Sequence, residues 1–192
     1  MNPMRKLIYS LGVSLDGYIA APGDDIGWTA PDDELHQYYN DQCRELAGSL
    51  YGRRLYENMA AFWPTADQQP DATPQIVDFA RVWLNLHRFV FSSTLESVEH
   101  NSELVRVHSD EDVVAAVRRI KAAGDGTLEL GGATLAGPIV RAGLVDEFHL
   151  AVHPVLLGGG TPFFPTGFDR IQLRLVETRQ FSSAVLHRYE AV

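Results

Sequence analysis

Apolar residues along this chain follow two spacings, one typical of strands and one typical of helices. The run from Lys6 to Val13 is short and mostly apolar, has no helical period, and predicts a buried first strand. Between Asp32 and Ala47 the apolar side chains recur every three or four residues, which predicts a helix: Leu35, Tyr38, Tyr39, Cys43 and Leu46. The acidic residues that begin this segment favour the positive end of the helix dipole.

The pattern of a strand followed by a helix repeats along the chain. Short apolar runs predict strands at 49–51, 88–92, 127–130 and 145–152, and amphipathic or capped segments predict helices at 53–62, 73–86, 109–123 and 133–142. Two alternating segments, 172–177 and 184–190, predict a hairpin at the C-terminal end. This order predicts an α/β fold, in which helices cover both faces of a mostly parallel central sheet and an antiparallel C-terminal hairpin completes it.

The composition limits the partners and the cellular location that we expect for such a fold. The chain has 192 residues, 45% of them hydrophobic, which suffices for the core of a single domain over residues 1–192. Its formal net charge of -9 argues against a nucleic-acid partner and against binding to an anionic membrane. Cys43 is the single cysteine, so no internal disulfide can form, and no apolar run is long enough to span a bilayer. We therefore expect a cytoplasmic protein.

Three turns share one plan, in which a short strand ends at small or hydroxyl-bearing residues and a helix follows. They are Gly52-Arg53-Arg54, Ser92-Ser93-Thr94 and Gly131-Gly132-Ala133-Thr134. Such turns direct the backbone N–H groups of a helix N-terminus at a ligand, which is how anionic phosphates are bound. The arginines and serines can add hydrogen bonds to a phosphate, including a ribose 2′-phosphate. One Gly-Gly pair is usually only a turn, but three such turns in this order favour a dinucleotide site.

The motifs together resemble the dihydrofolate reductase superfamily, and within it the branch that contains the reductase domain of bifunctional riboflavin-biosynthesis deaminase/reductases. The matching segments span almost the whole chain in order: 14–20 (SLDGYIA), 51–57 (YGRRLYE), 91–93 (FSS), 130–135 (LGGATL), 143–147 (GLVDE) and 154–160 (PVLLGGG). The resemblance implies a three-layer fold of the dihydrofolate reductase type and an NADPH-dependent reductase. Relatives often have threonine after the arginine pair, where this chain has Leu55, which removes one hydroxyl that could contact a phosphate.

The resemblance also implies where the cofactor lies, with the nicotinamide near Ile19 and Ala20. Because Gly12 and Ala20 are small, they would allow the C4 atom of that ring to approach a substrate closely. The expected cofactor-binding residues are Gly12, Ile19, Ala20, Gly52, Arg53, Arg54, Ser92, Ser93, Gly131, Gly132, Ala133, Thr134 and Leu135.

Candidate substrate residues are fewer. Trp28 followed five residues later by Asp33 resembles the pattern in which folate-reducing relatives hold the pterin ring and assist its protonation, so both are assigned to the substrate pocket and Asp33 to catalysis. Asp33 could equally be part of an acidic first helical turn, with a bound water as the proton donor. Asp16, before Gly17, is interpreted as a turn residue. His149 and His153 have no third ligand nearby, so no metal site is expected.

Three functions remain open from the sequence. The first is a homodimeric NADPH-dependent oxidoreductase that passes hydride to a flat heterocycle such as a pteridine or pyrimidine. The second is the 5-amino-6-(5-phosphoribosylamino)uracil reductase of riboflavin biosynthesis, whose phosphorylated substrate would require basic residues facing the pocket. The third is a dinucleotide-binding or regulatory protein that has kept the fold without catalysis.

Overall fold

The computed structural model describes residues 4–192 and builds them around an eight-stranded sheet. The strands of this part of the chain are β1 (Lys6–Ser14), β2 (Tyr18–Ala20), β3 (Gly48–Gly52), β4 (Arg88–Ser92), β5 (Ser102–Arg106), β6 (Thr127–Gly131), β7 (Glu147–His153), β8 (Thr161–Pro162), β9 (Leu173–Gln180) and β10 (Val185–Ala191). The α-helices are α1 (Asp33–Arg44), α2 (Arg53–Phe62), α3 (Pro74–Asn85), α4 (Asp110–Ala122) and α5 (Ala133–Arg141). Two 3-10 turns lie at Gly27–Thr29 and Trp63–Gln68.

The large sheet has the order β5-β4-β3-β6-β1-β7-β10-β9. Its first six strands are all parallel to their neighbours. β10 runs antiparallel to β7, and β9 runs antiparallel to β10, so the predicted C-terminal hairpin closes one edge. β2 and β8 form a separate two-stranded antiparallel sheet. The predicted α/β fold, with a mostly parallel sheet and an antiparallel hairpin, is confirmed.

Helices cover the two faces of the sheet because side chains alternate across each strand. On one face, α4 and α5 pack on the largest apolar cluster, which includes Leu7, Tyr9 and Leu130 from the strands. On the other face, α1, α2 and α3 contribute to three smaller clusters. These three layers match the predicted architecture. No helix in the described part of the chain is long and apolar enough to cross a membrane.

One edge of the sheet collects the carboxyl ends of its parallel strands. Ser14, Gly52, Ser92, Gly131 and His153 are the last residues of β1, β3, β4, β6 and β7, respectively. Ligands of open α/β sheets bind outside this edge, because loops and helix N-termini converge there. The three turns that the sequence singled out all lie on this edge.

Candidate functional site

A groove at this edge brings together two of the predicted turns. Gly52, Arg53, Arg54 and Leu55 line it on the α2 side, and residues 131–135 line it on the α5 side, around a cavity of about 430 Å³. A second cavity of about 380 Å³ is lined by Ser92, Ser93 and Thr94. Arg53 lines both cavities, so the third turn adjoins the first two. The two cavities therefore adjoin along the same edge of the sheet.

Two of the helices that begin at this groove, α2 and α5, lack side-chain caps. Gly52 is the N-cap of α2 and Gly132 is the N-cap of α5, and neither can cap its helix with a side chain. By contrast, the side chains of Asp32, Thr73 and Ser109 accept a hydrogen bond at the starts of α1, α3 and α4. First-turn N–H groups of α2 and α5 therefore remain available to an external acceptor, and both helix dipoles favour an anion.

Charge at the groove is mixed. Arg53 and Arg54 occupy the first turn of α2, and Arg54 Nη1 lies 3.2 Å from Oδ2 of Asp24, with both side chains largely exposed. Asp110 also lines the groove, but its Oδ2 lies 3.0 Å from Nη2 of Arg141, which partly offsets its negative charge. Because an exposed ion pair contributes little, Arg54 can exchange Asp24 for a ligand phosphate at low cost.

Ser92 is more constrained than the sequence suggested. Its hydroxyl oxygen accepts hydrogen bonds from the backbone N–H groups of Thr94 and Leu95, at 3.1 and 3.0 Å. The hydroxyl proton is not used in these two bonds, so Ser92 can still donate to a phosphate. Ser93 is exposed beside it. Ser92 therefore both stabilises the turn after β4 and presents a donor.

Leu55 occupies the space above Gly131. A Cβ atom on Gly131 would lie 2.5 Å from Leu55 Cδ2, so the glycine allows α2 to pack closely on the end of β6. The leucine thus replaces a hydroxyl with packing that shapes the groove. Leu135 is 7% exposed and belongs to the core, which leaves its backbone N–H, in the first turn of α5, as the group it can offer.

The strand that carries Ile19 and Ala20 is held by a distant segment. The Asp16 carboxylate accepts hydrogen bonds from the backbone N–H groups of Gly158 (2.7 Å) and Leu157 (3.1 Å) and from the Ser14 hydroxyl (2.6 Å). These bonds lower the pKa of Asp16 to about 2. A Cβ atom on Gly160 would lie 2.0 Å from the carbonyl oxygen of Ala20. Asp16 therefore connects two segments far apart in sequence, in addition to shaping its own turn.

The lack of a side chain at Gly12 leaves room for the His153 imidazole, a contact that the sequence did not predict. A Cβ atom on Gly12 would lie 3.2 Å from Nε2 of His153, so the imidazole occupies the space above the glycine. The His153 and Trp28 rings are nearly perpendicular to each other, with ring centroids 5.7 Å apart. His153 is 3% exposed, and burial lowers its pKa although the Asp32 charge opposes this shift. The structure thus brings Gly12, Trp28 and His153 together.

The acidic start of α1 divides into two roles. Asp32 accepts hydrogen bonds from the N–H groups of Leu35 (2.9 Å) and Ser183 (2.7 Å), which lower its pKa to about 2 and tie α1 to the turn between β9 and β10. Asp33, the first residue of α1, has an exposed side chain that is available to a ligand. Within residues 4–192, no group of three or more His, Cys, Asp or Glu side chains is placed to hold a metal ion.

Comparison with known families agrees with this geometry. Residues 5–187 match the family described as the RibD C-terminal domain. The chain is 30% identical over 186 residues to the uncharacterised protein YyaP of Bacillus subtilis (strain 168), covering 95% of this chain and 92% of that protein.

Two solved structures show how widely the fold is shared. A Thermotoga maritima diaminohydroxyphosphoribosylaminopyrimidine deaminase/5-amino-6-(5-phosphoribosylamino)uracil reductase superposes with a TM-score of 0.64 at 13% identity, covering 98% of this chain and 57% of that one. Dihydrofolate reductase from Enterococcus faecalis, complexed with NADP(H), superposes with a TM-score of 0.58 at 16% identity, covering 97% and 96%. At these identities the similarity establishes the fold alone.

Proposed function

Because the chain belongs to the RibD C-terminal domain family, we propose that it is an NADPH-dependent oxidoreductase that passes hydride to a flat heterocycle. The observation that carries this proposal is the pair of uncapped helix N-termini, α2 and α5, that face one groove. The other three α-helices of the described chain, α1, α3 and α4, have side-chain caps, so the α-helices with open first-turn N–H groups are the two whose N-caps, Gly52 and Gly132, line the groove.

The residues present fit a dinucleotide phosphate. Gly132 has a φ of +92°, which an L side chain rarely adopts, so a glycine there keeps the backbone of the groove accessible. The N–H groups of residues 133–135 and 53–55 would bind the pyrophosphate, and Arg53, Ser92 and Ser93 would bind the 2′-phosphate that distinguishes NADPH from NADH. When the cofactor is bound, its reduced nicotinamide supplies the hydride.

The substrate would lie beside Gly12, Trp28 and Asp33. Trp28 offers a flat apolar surface for a heterocyclic ring, and the neutral His153 imidazole offers one donor and one acceptor. Asp33, exposed at the start of α1, would deliver or relay the proton that accompanies hydride transfer, directly or through water. Ile19 and Ala20, fixed in β2, would place the nicotinamide against this surface.

Family membership also favours a second candidate, reduction of 5-amino-6-(5-phosphoribosylamino)uracil in riboflavin biosynthesis, which is the activity named for the Thermotoga maritima relative. We further propose a homodimer in the cytoplasm, on the basis of the family resemblance and the lone Cys43. A purely regulatory nucleotide-binding protein would bind NADPH without oxidising it.

NADPH oxidation tests the proposed function. Purified protein is mixed with NADPH carrying deuterium at C4 and with a panel of oxidised pteridines and pyrimidines, and products are examined by mass spectrometry. The proposal predicts that one substrate gains a single deuterium as NADPH absorbance falls. NADPH that binds and is never consumed would favour the regulatory alternative.

A further inference from the structure

The segment between β1 and α1 is strongly acidic. Residues 15–35 contain no lysine or arginine and six acidic side chains: Asp16, Asp24, Asp25, Asp32, Asp33 and Glu34. The pKa values of Asp16 and Asp32 are both lowered to about 2 by hydrogen bonds to their carboxylates. Both groups are therefore negatively charged throughout the physiological pH range.

This acidic segment borders the proposed substrate position. Trp28 lies within it and faces His153 above Gly12. Asp24 reaches Arg54 in the first turn of α2, which lines the cofactor groove. The segment therefore lies between the cofactor groove and the substrate side, and a substrate placed against Trp28 would be exposed to its charge.

Positive charge near the segment is already paired. In the part of the chain that the structure describes, Arg54 and Arg179 form the ion pairs with this segment, at 3.2 Å to Asp24 and 2.8 Å to Glu34. Burial lowers the pKa of His153 and of His36, so both imidazoles are neutral at pH 7. Among the described residues, the two arginines that contact this segment are therefore each paired with one of its carboxylates, and Arg54, whose exposed pair can open, lines the cofactor groove.

We propose that the substrate is a heterocycle without a phosphate group, neutral or cationic, and that the acidic segment excludes phosphorylated analogues. This inference rests on the proposed reductase function and names its substrate class. Like-charge repulsion is an established way to reject a competing ligand, and it acts on a phosphate dianion more strongly than on a neutral riboside. The proposal therefore argues against the phosphoribosyl substrate of the riboflavin pathway.

A matched pair of probes tests the proposal. 5-Amino-6-(5-phosphoribosylamino)uracil and its phosphate-free riboside differ only in the phosphate, and both are titrated into protein saturated with NADP+. At low salt we expect the riboside to bind at least about tenfold more tightly. The difference should shrink as salt is added, because screening weakens repulsion between exposed charges. Equal or tighter binding of the phosphorylated probe at low salt would overturn the proposal.

Charge reversal at one position tests whether the acidic segment causes the difference in affinity between the two probes. Glu34→Lys adds a cation at the start of α1 and releases Arg179, and it should narrow the difference between the two probes several-fold. Glu45→Lys, at the opposite end of the same helix, is the matched control and should leave the difference unchanged. An equal effect of both substitutions would show that net charge, rather than the acidic segment, controls selectivity.

If neither probe binds, quenching of Trp28 fluorescence by ions tests whether the acidic segment makes the surroundings of Trp28 negative. Emission specific to Trp28 is the difference between wild type and Trp28→Phe, and its quenching by caesium and by iodide is compared after normalising each to free tryptophan amide. The proposal predicts several-fold stronger quenching by the cation, and stronger quenching by iodide would overturn it. NADPH titration in parallel separates the two proposals, since loss of NADPH binding refutes the reductase and leaves the quenching result intact.

Discussion

Glu129 is an acidic side chain in the middle of the central sheet, where ionisation is unfavourable. In β6 it is level with Ile8 of β1 and Ser49 of β3. Burial raises its pKa from 4.5 to about 7, and a hydrogen bond from Ser10 opposes this shift only in part. Because the pKa of Glu129 is higher in the folded protein than in the unfolded chain, its contribution to the free energy of unfolding is lost as the pH rises from about 4.5 to about 7.

The magnitude follows from the size of the shift. One pKa unit corresponds to about 1.4 kcal/mol, so the shift represents at most about 3 kcal/mol, fully lost above about pH 7. Integrated between about pH 5 and about pH 8, the loss is about 2.5 kcal/mol. Glu129→Gln removes this titration. We therefore expect the free energy of unfolding of the variant to rise relative to that of wild type by about 2.5 kcal/mol over the same interval.

Urea unfolding of both proteins at several pH values measures this difference directly. Other titrating groups, including His36, His149 and His153 with lowered pKa values, affect both proteins equally and cancel in the comparison. Glu45→Gln, an exposed carboxyl at the end of α1, is the control and should follow the wild-type profile. Parallel stability profiles for wild type and Glu129→Gln would show that Glu129 is ionised in the folded protein, and would refute this reasoning.

Two further predictions concern the attachment of β2. Asp16→Asn weakens the hydrogen bonds that the N–H groups of Leu157 and Gly158 donate to this side chain. Hydrogen exchange of the β2 amides should therefore accelerate, and the affinity for NADPH should fall several-fold. An unchanged exchange rate in β2 would contradict this prediction. Gly160→Ala places a methyl group against the Ala20 carbonyl and should lower the free energy of unfolding by about 1–3 kcal/mol, which corresponds to a fall of several °C in Tm. Gly159→Ala is the control, because the space around Gly159 is open, and calorimetry should show almost no change in its Tm.

The groove could be predicted from the sequence because each of its parts is local. A strand, a small turn and a helix start are adjacent along the chain at Gly52 and at Gly131-Gly132, and parallel strands necessarily bring such turns to one edge. The hairpin of β9 and β10 was predicted for the same reason. Apolar and polar residues alternate along two segments that are neighbours in sequence, and two such neighbouring strands usually pair as a hairpin.

Other parts depend on contacts between distant residues and had no local signal. The bond between Asp16 and Gly158 spans 142 positions, so a turn residue was the natural interpretation of an aspartate before glycine. His153 was considered only as a metal ligand, since nothing in the sequence places it above Gly12. β5 was not predicted because only Leu104 and Val105 in it are apolar, as is common in an edge strand.

The most direct test of the central claim is a titration with NADPH and with NADH, followed by quenching of tryptophan emission. It compares wild type, Arg53→Ala/Arg54→Ala, and the control Arg118→Ala/Arg119→Ala, which removes the same charge from exposed positions on α4. Our account predicts NADPH-selective binding that weakens at least about tenfold in the first variant and is unchanged in the control. No binding of either nucleotide, or equal losses in both variants, would contradict a cofactor site at the start of α2.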